Sequence, residues 1–111
     1  MNLRERIHQK YNGHCADCGQ EITVKGMHID HLVPLYRGNP NFGAITNDEA
    51  NLMPSCASCN NRKAVLTMEI FRLEIEAQVA RLRRDSGAFR LAERYGLIKE
   101  TGEPVRFYFE R

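Results

Sequence analysis

The sequence predicts a small α+β domain followed by a helical C-terminal extension, and three observations carry that expectation. Two Cys-x-x-Cys pairs, Cys15/Cys18 and Cys56/Cys59, stand 37 residues apart. Between them lie short runs of strand character, residues 22–24 and 27–32. Beyond Cys56 the apolar residues recur at three and four, the period of a helix. A chain of 111 residues is one domain's worth of protein, and 42% apolar with 27% charged residues is ordinary for a globular fold.

Each element has its own signal. Leu3, Ile7 and Tyr11 recur at spacing four, which predicts an amphipathic helix over residues 2–12 with Gly13 placed to end it. The first cysteine pair then forms a knuckle, and Lys25-Gly26 reads as the turn between the two strands. Residues 34–48 carry Gly38, Asn39, Pro40, Asn41, Gly43 and Asn47, the composition of a long loop. A first helical segment is expected over residues 59–66. A longer one is expected over 67–84, with Thr67 as its N-cap. That longer segment has two apolar stripes, Leu66, Ile70, Leu73, Ala77, Ala80 and Met68, Phe71, Ile75, Val79, Leu82. So wide a face predicts packing on the domain's own core and a second contact, such as a homodimer through residues 67–84. Asp85-Ser86-Gly87 interrupts the run, and a short helix to about Tyr95 ends at Gly96. Residues 105–110 alternate as a half-buried strand does. The division expected is a core over residues 1–66 and an extension over 67–111, ending in that strand and packed on the core as one domain.

Composition excludes several classes. No stretch reaches the roughly 18 apolar residues of a membrane span, and residues 1–10 are too charged for a signal peptide. The expected setting is cytoplasmic, with reduced cysteines. Two residues between cysteines let one tight turn present both sulfurs to a single ion, and two such pairs complete a tetrahedron. All four cysteines of the chain are used, so structural Zn²⁺ is the expectation, with no open position for substrate. Four thiolates and one Zn²⁺ together subtract two charges, which brings the formal +2 to neutrality. Net charge therefore says nothing about nucleic acid, and local basic clusters must carry that argument.

Between the pairs stand His28-Ile29-Asp30-His31-Leu32-Val33-Pro34 and Asn51-Leu52, and Cys59 is followed directly by Asn60-Asn61-Arg62-Lys63. In this order, inside a four-cysteine frame, the sequence resembles the HNH endonuclease family over roughly residues 4–63. The resemblance implies a ββα-metal fold for the core. It implies Asp30 as first ligand of a catalytic metal and His31 as general base. Asn51 corresponds to the asparagine that fixes the base-bearing loop, and Asn60 to the second metal ligand. Many members carry a second histidine at the position of Asn60, and the change adjusts metal preference.

The chemistry is coherent on its own terms. A carboxylate and an amide oxygen suit hard Mg²⁺ or Mn²⁺, and a neutral imidazole can take a proton from water near pH 7. His31 neighbours Asp30 but points to the other strand face, so it reaches a shared site only where the backbone bends. Arg62 and Lys63 are candidates for phosphate contact within a helical turn of Asn60. Arg81, Arg83 and Arg84, and Arg4, Arg6 and Lys10, form further basic clusters. His28 shares the face of Asp30, where contact with metal or DNA is one reading and a solvated histidine is the expectation. The resulting expectation is a metal-dependent DNA endonuclease that nicks or cuts both strands, with a protein partner to supply strong sequence selectivity. The alternative is a non-catalytic zinc module that binds nucleic acid or protein.

Overall fold

The computed structural model describes residues 1–34 and 47–111. The long loop expected over residues 34–48 therefore lies, over residues 35–46, outside the described residues. The chain divides into two compact units, one of residues Met1–Phe71 with Arg106–Arg111 and one of Arg72–Val105.

The first unit opens with helix α1, Leu3–Gln9, capped by the Asn2 side chain, which accepts from Glu5 N at 2.9 Å. Its Ile7 is fully buried and meets Met27 and Leu52, with Ile22 and Ile29 packed against them. The sheet has two antiparallel strands, β1 at His28–His31 and β2 at Leu52–Ser55. Their register pairs His28 with Ser55, Ile29 with Pro54, Asp30 with Met53 and His31 with Leu52. Helix α2, Ala57–Lys63, starts directly after β2 and completes a ββα unit.

The strand pairing corrects the expected hairpin at Lys25-Gly26. Thr23 holds residues 23–27 in a turn, its hydroxyl accepting from Gly26 N and its carbonyl from Met27 N. Residues 22–24 thus form no strand beside β1. The partner strand contains Pro54, a residue that argues against a strand in sequence; among the described residues no further strand pairs with β2, and proline is tolerated at such an edge. Pro54 still contributes its carbonyl, which accepts from Ala16 N at 2.8 Å and ties β2 to the first cysteine knuckle.

The C-terminal residues also differ from expectation. Residues 105–110 form no strand; Tyr108–Glu110 is a 3-10 turn. Its backbone docks on the knuckle instead, with Tyr108 N donating to Asp17 O and Phe109 N to Ala16 O, each at 2.9 Å. The apolar alternation serves a stack: Phe107 lies 5.4 Å from the buried Phe71 ring and 5.7 Å from Phe109. Tyr108 covers Gly19, which sits at φ +81°, where a Cβ would fall 2.5 Å from the Tyr108 ring. The ring cannot retreat freely, since His14 stacks on it at 5.4 Å and its backbone is bonded. Gly19→Ala is therefore expected to lower stability by about 2 kcal/mol or more, from left-handed strain plus overpacking. A urea midpoint equal to that of wild type would show that the ring yields.

The second unit holds most of the helical extension. The helix expected over residues 67–84 is two, α3 at Met68–Glu76 and α4 at Gln78–Asp85. The Gln78 side-chain amide takes the Glu74 carbonyl, the acceptor an uninterrupted helix reserves for the Gln78 backbone N–H. Thr67 caps α3 as expected, accepting from Ile70 N at 3.3 Å. Helix α5, Gly87–Arg94, is capped by Ser86. Arg83 of α4 grips Glu93 of α5 through two nitrogens and also meets Glu100 at 3.0 Å. Leu73, Leu82, Leu91, Tyr95 and Leu97 remain exposed. Among the described residues no helix is long and apolar enough to cross a membrane.

Candidate functional site

The four cysteine sulfurs lie within 4.8 Å of one another. Cys18 and Cys56 Sγ are 3.9 Å apart, close to the ~3.8 Å edge of a tetrahedron of thiolates about 2.3 Å from one ion. Backbone amides point at the sulfurs: Cys56 N donates to Cys15 Sγ, Cys59 N to Cys56 Sγ and Gln20 N to Cys18 Sγ, at 3.3–3.4 Å. Such donors stabilise thiolates, and the donor set fits Zn²⁺. Without an ion the protons distribute unevenly. A hydrogen bond from Cys59 holds the Cys15 thiol down to about 4, and the same bond pushes Cys59 up. Burial raises Cys18. Four charged thiolates in this space require a central cation. Behind them Asp17 is buried and accepts from Ser55 Oγ at 3.0 Å; burial, and then the Cys15 charge, push its carboxyl up to about 6.

The second cluster stands between β1 and α2. Asp30 and His28 share one face of β1 by the two-residue period, and Asn60 and Lys63 share one face of α2 by the three-residue spacing. The two faces meet. Lys63 Nζ donates to Asp30 Oδ2 at 2.9 Å and to the His31 carbonyl at 2.7 Å, and Asn60 Nδ2 lies 3.4 Å from His28 Nδ1. α2 ends at Lys63 because Ala64 turns to φ +47°. The helical segment expected to reach residue 66 thus stops three residues earlier.

Asn51 ends the 3-10 turn Glu49–Asn51 and is 7% exposed. Its Oδ1 accepts from Val33 N at 2.8 Å, its Nδ2 donates to Val33 O, and its own carbonyl accepts from Leu32 N. The asparagine thus clamps the backbone directly after His31, where the chain bends at Leu32 and Val33. His31 is half-buried, and among the described residues its imidazole makes no hydrogen bond. Helix α1 braces the same turn: Lys10 Nζ donates to the Glu49 and Leu52 carbonyls, and Arg6 pairs with Glu49.

Two sequence expectations meet a different arrangement here. Lys63, expected to reach phosphate, is 1% exposed and its ammonium is engaged by Asp30 and His31. A lysine on the inner face of so short a helix finds the strand before it finds solvent. Arg62 is exposed on α2. The basic clusters are also engaged internally: Arg4 on the Val24 and Met27 carbonyls, Arg81 on Glu74, Arg83 on Glu93 and Glu100, Arg84 on Asp85. The contact that sequence reasoning missed is His28 with Asn60. The parity of positions 28 and 30 was its one visible sign.

The sequence model of the HNH endonuclease family matches residues 15–65, from the first cysteine to just past α2. By structure the chain is similar to the Type II-C Cas9 enzyme from Actinomyces naeslundii, with a TM-score of 0.53 and 19% identity, over 92% of this chain and 12% of that one. At that identity the likeness shows a shared fold. No curated protein matches the sequence. Residues 15–65 thus match the HNH endonuclease family model, and the four cysteines that frame them cluster as a zinc site requires.

Proposed function

We propose that the first unit is a metal-dependent DNA endonuclease that hydrolyses phosphodiester bonds to a 5′-phosphate and a 3′-hydroxyl. The observation that supports this reading best is the meeting of the Asp30 face of β1 with the Asn60 face of α2. It occurs inside an HNH-matched segment whose Asn51 clamps the backbone after His31. Asp30 and Asn60 would hold one divalent ion, Mg²⁺ or Mn²⁺, and both are oxygen donors of the kind these ions take. When bound, such an ion supplies charge stabilisation for the phosphate oxygens and the leaving 3′ oxygen.

The chain's own residues supply the rest. Lys63 holds Asp30 through Oδ2, and among the described residues Oδ1 makes no hydrogen bond. The same ammonium fixes the His31 carbonyl, so one buried cation orients both candidate residues. Asn51 holds the Leu32–Val33 bend directly after His31, which itself keeps its strand pairing with Leu52. The imidazole accepts a proton from attacking water and lacks a competing protein partner among the described residues. Exposed Arg62 is the candidate phosphate contact. Zn²⁺ at the cysteines has a structural role in this reading, with four protein ligands and no substrate position.

Relaxation of supercoiled plasmid tests it. The zinc-loaded chain is expected to nick or linearise DNA in Mg²⁺ or Mn²⁺ and to stop when the exchangeable ion is withheld. Binding of DNA by folded protein without cleavage in either ion would favour the non-catalytic module.

A further inference from the structure

We propose that His28 is a third protein donor to the divalent ion, giving the site a His28–Asp30–Asn60 set. The inference rests on the nuclease reading above, and its test separates the two.

The argument starts from two crosslinks between the same pair of elements. Lys63 reaches Asp30 and, three residues earlier on α2, Asn60 reaches His28, two residues earlier on β1. The helix face therefore runs along the strand face, and Asp30, His28 and Asn60 border one space. The 3.4 Å between Asn60 Nδ2 and His28 Nδ1 is close to the separation of adjacent ligands on an octahedral ion, about 3 Å for bonds of about 2.1 Å. A half-turn of the Asn60 amide exchanges Nδ2 for Oδ1 and leaves an oxygen and an imidazole nitrogen side by side, both able to donate a lone pair. His28 is exposed, which leaves room for the water and substrate that complete the coordination shell.

The donor types set the consequence. Asp30 brings one negative charge, and the Lys63 ammonium on its other oxygen offsets part of that attraction. A neutral imidazole strengthens the site without further charge. It also moves preference toward Mn²⁺, Co²⁺ and Ni²⁺ relative to Mg²⁺, which binds nitrogen poorly.

The test is Mn²⁺ titration of the full, zinc-loaded chain, followed by electron paramagnetic resonance. In wild type, bound Mn²⁺ should show the ¹⁴N coupling of a directly bound imidazole. His28→Ala should abolish that coupling and weaken Mn²⁺ binding by about tenfold or more, with a smaller change for Mg²⁺. His31→Ala should retain the coupling, which assigns the nitrogen to His28. Mn²⁺ bound without nitrogen coupling, or with coupling that survives His28→Ala, overturns the proposal. Loss of Mn²⁺ binding in Asp30→Asn would in that case leave the nuclease reading standing. Wild type that binds no Mn²⁺ overturns both.

Discussion

Cys56→Ser is expected to leave the first unit unfolded at 25 °C. Cys56 has three tasks in the structure. Its sulfur is one of the four that cluster, it caps α2 by accepting from Cys59 N, and its own N–H donates to Cys15 Sγ. Serine can keep the cap, but it replaces a thiolate with a poor zinc ligand. Structural zinc contributes roughly 10–16 kcal/mol in small zinc-binding peptides, and a whole domain has a net stability of about 5–15 kcal/mol. Among the described residues little apolar core stands behind the frame: Ile7, Met27 and Leu52 form one buried cluster, and Phe71 with Phe107 another. Loss of zinc therefore removes a term comparable to the entire stability. Elemental analysis of wild type should find one zinc per chain, and chelation should reproduce the circular dichroism spectrum of the variant. Correctly folded protein purified without zinc would refute the assignment.

The parts of this architecture that sequence could reveal are those encoded in local spacing. The cysteine pairs announce a tetrahedral site because two intervening residues suffice for one turn. The parity of residues 28 and 30 and the cap at Thr67 are equally local. Long-range choices stayed hidden. Residues 22–24 have strand character, but Thr23 has a hydroxyl that closes a turn, while β2 contains a proline and pairs nevertheless. Residues 105–110 alternate like a strand, yet they meet the knuckle through only two backbone bonds and bury Phe107 beside Phe71. The lysine after Asn60-Asn61-Arg62 looks like a surface cation until the turn at Ala64, with φ +47°, shows how early α2 ends. The Thr23 turn is local, but the other misses turn on partners far away in sequence, as Lys63 does on Asp30 and Phe107 on Phe71.

His31→Ala is expected to reduce DNA cleavage by about two to four orders of magnitude, the usual contribution of a positioned general base, while DNA affinity stays near that of wild type. The fold should tolerate the change. His31 meets its neighbours through its backbone, with the carbonyl accepting from Lys63 and the strand register pairing it with Leu52, and alanine keeps both. The Asp30 and Asn60 side chains are untouched, so metal binding should survive. Asp30 needs a gentler substitution. Asp30→Ala would leave the Lys63 ammonium, 1% exposed, with only a carbonyl partner, and breaking a buried pair costs about 3–5 kcal/mol. Its inactivity would then mix unfolding with metal loss. Asp30→Asn keeps an oxygen for Lys63 while removing the charge, and should lose cleavage in either Mg²⁺ or Mn²⁺ with the zinc frame intact. Single-turnover cleavage, a DNA-binding isotherm and a thermal melt on the same preparations separate these effects. A folded His31→Ala that cuts as fast as wild type would exclude His31 as the base.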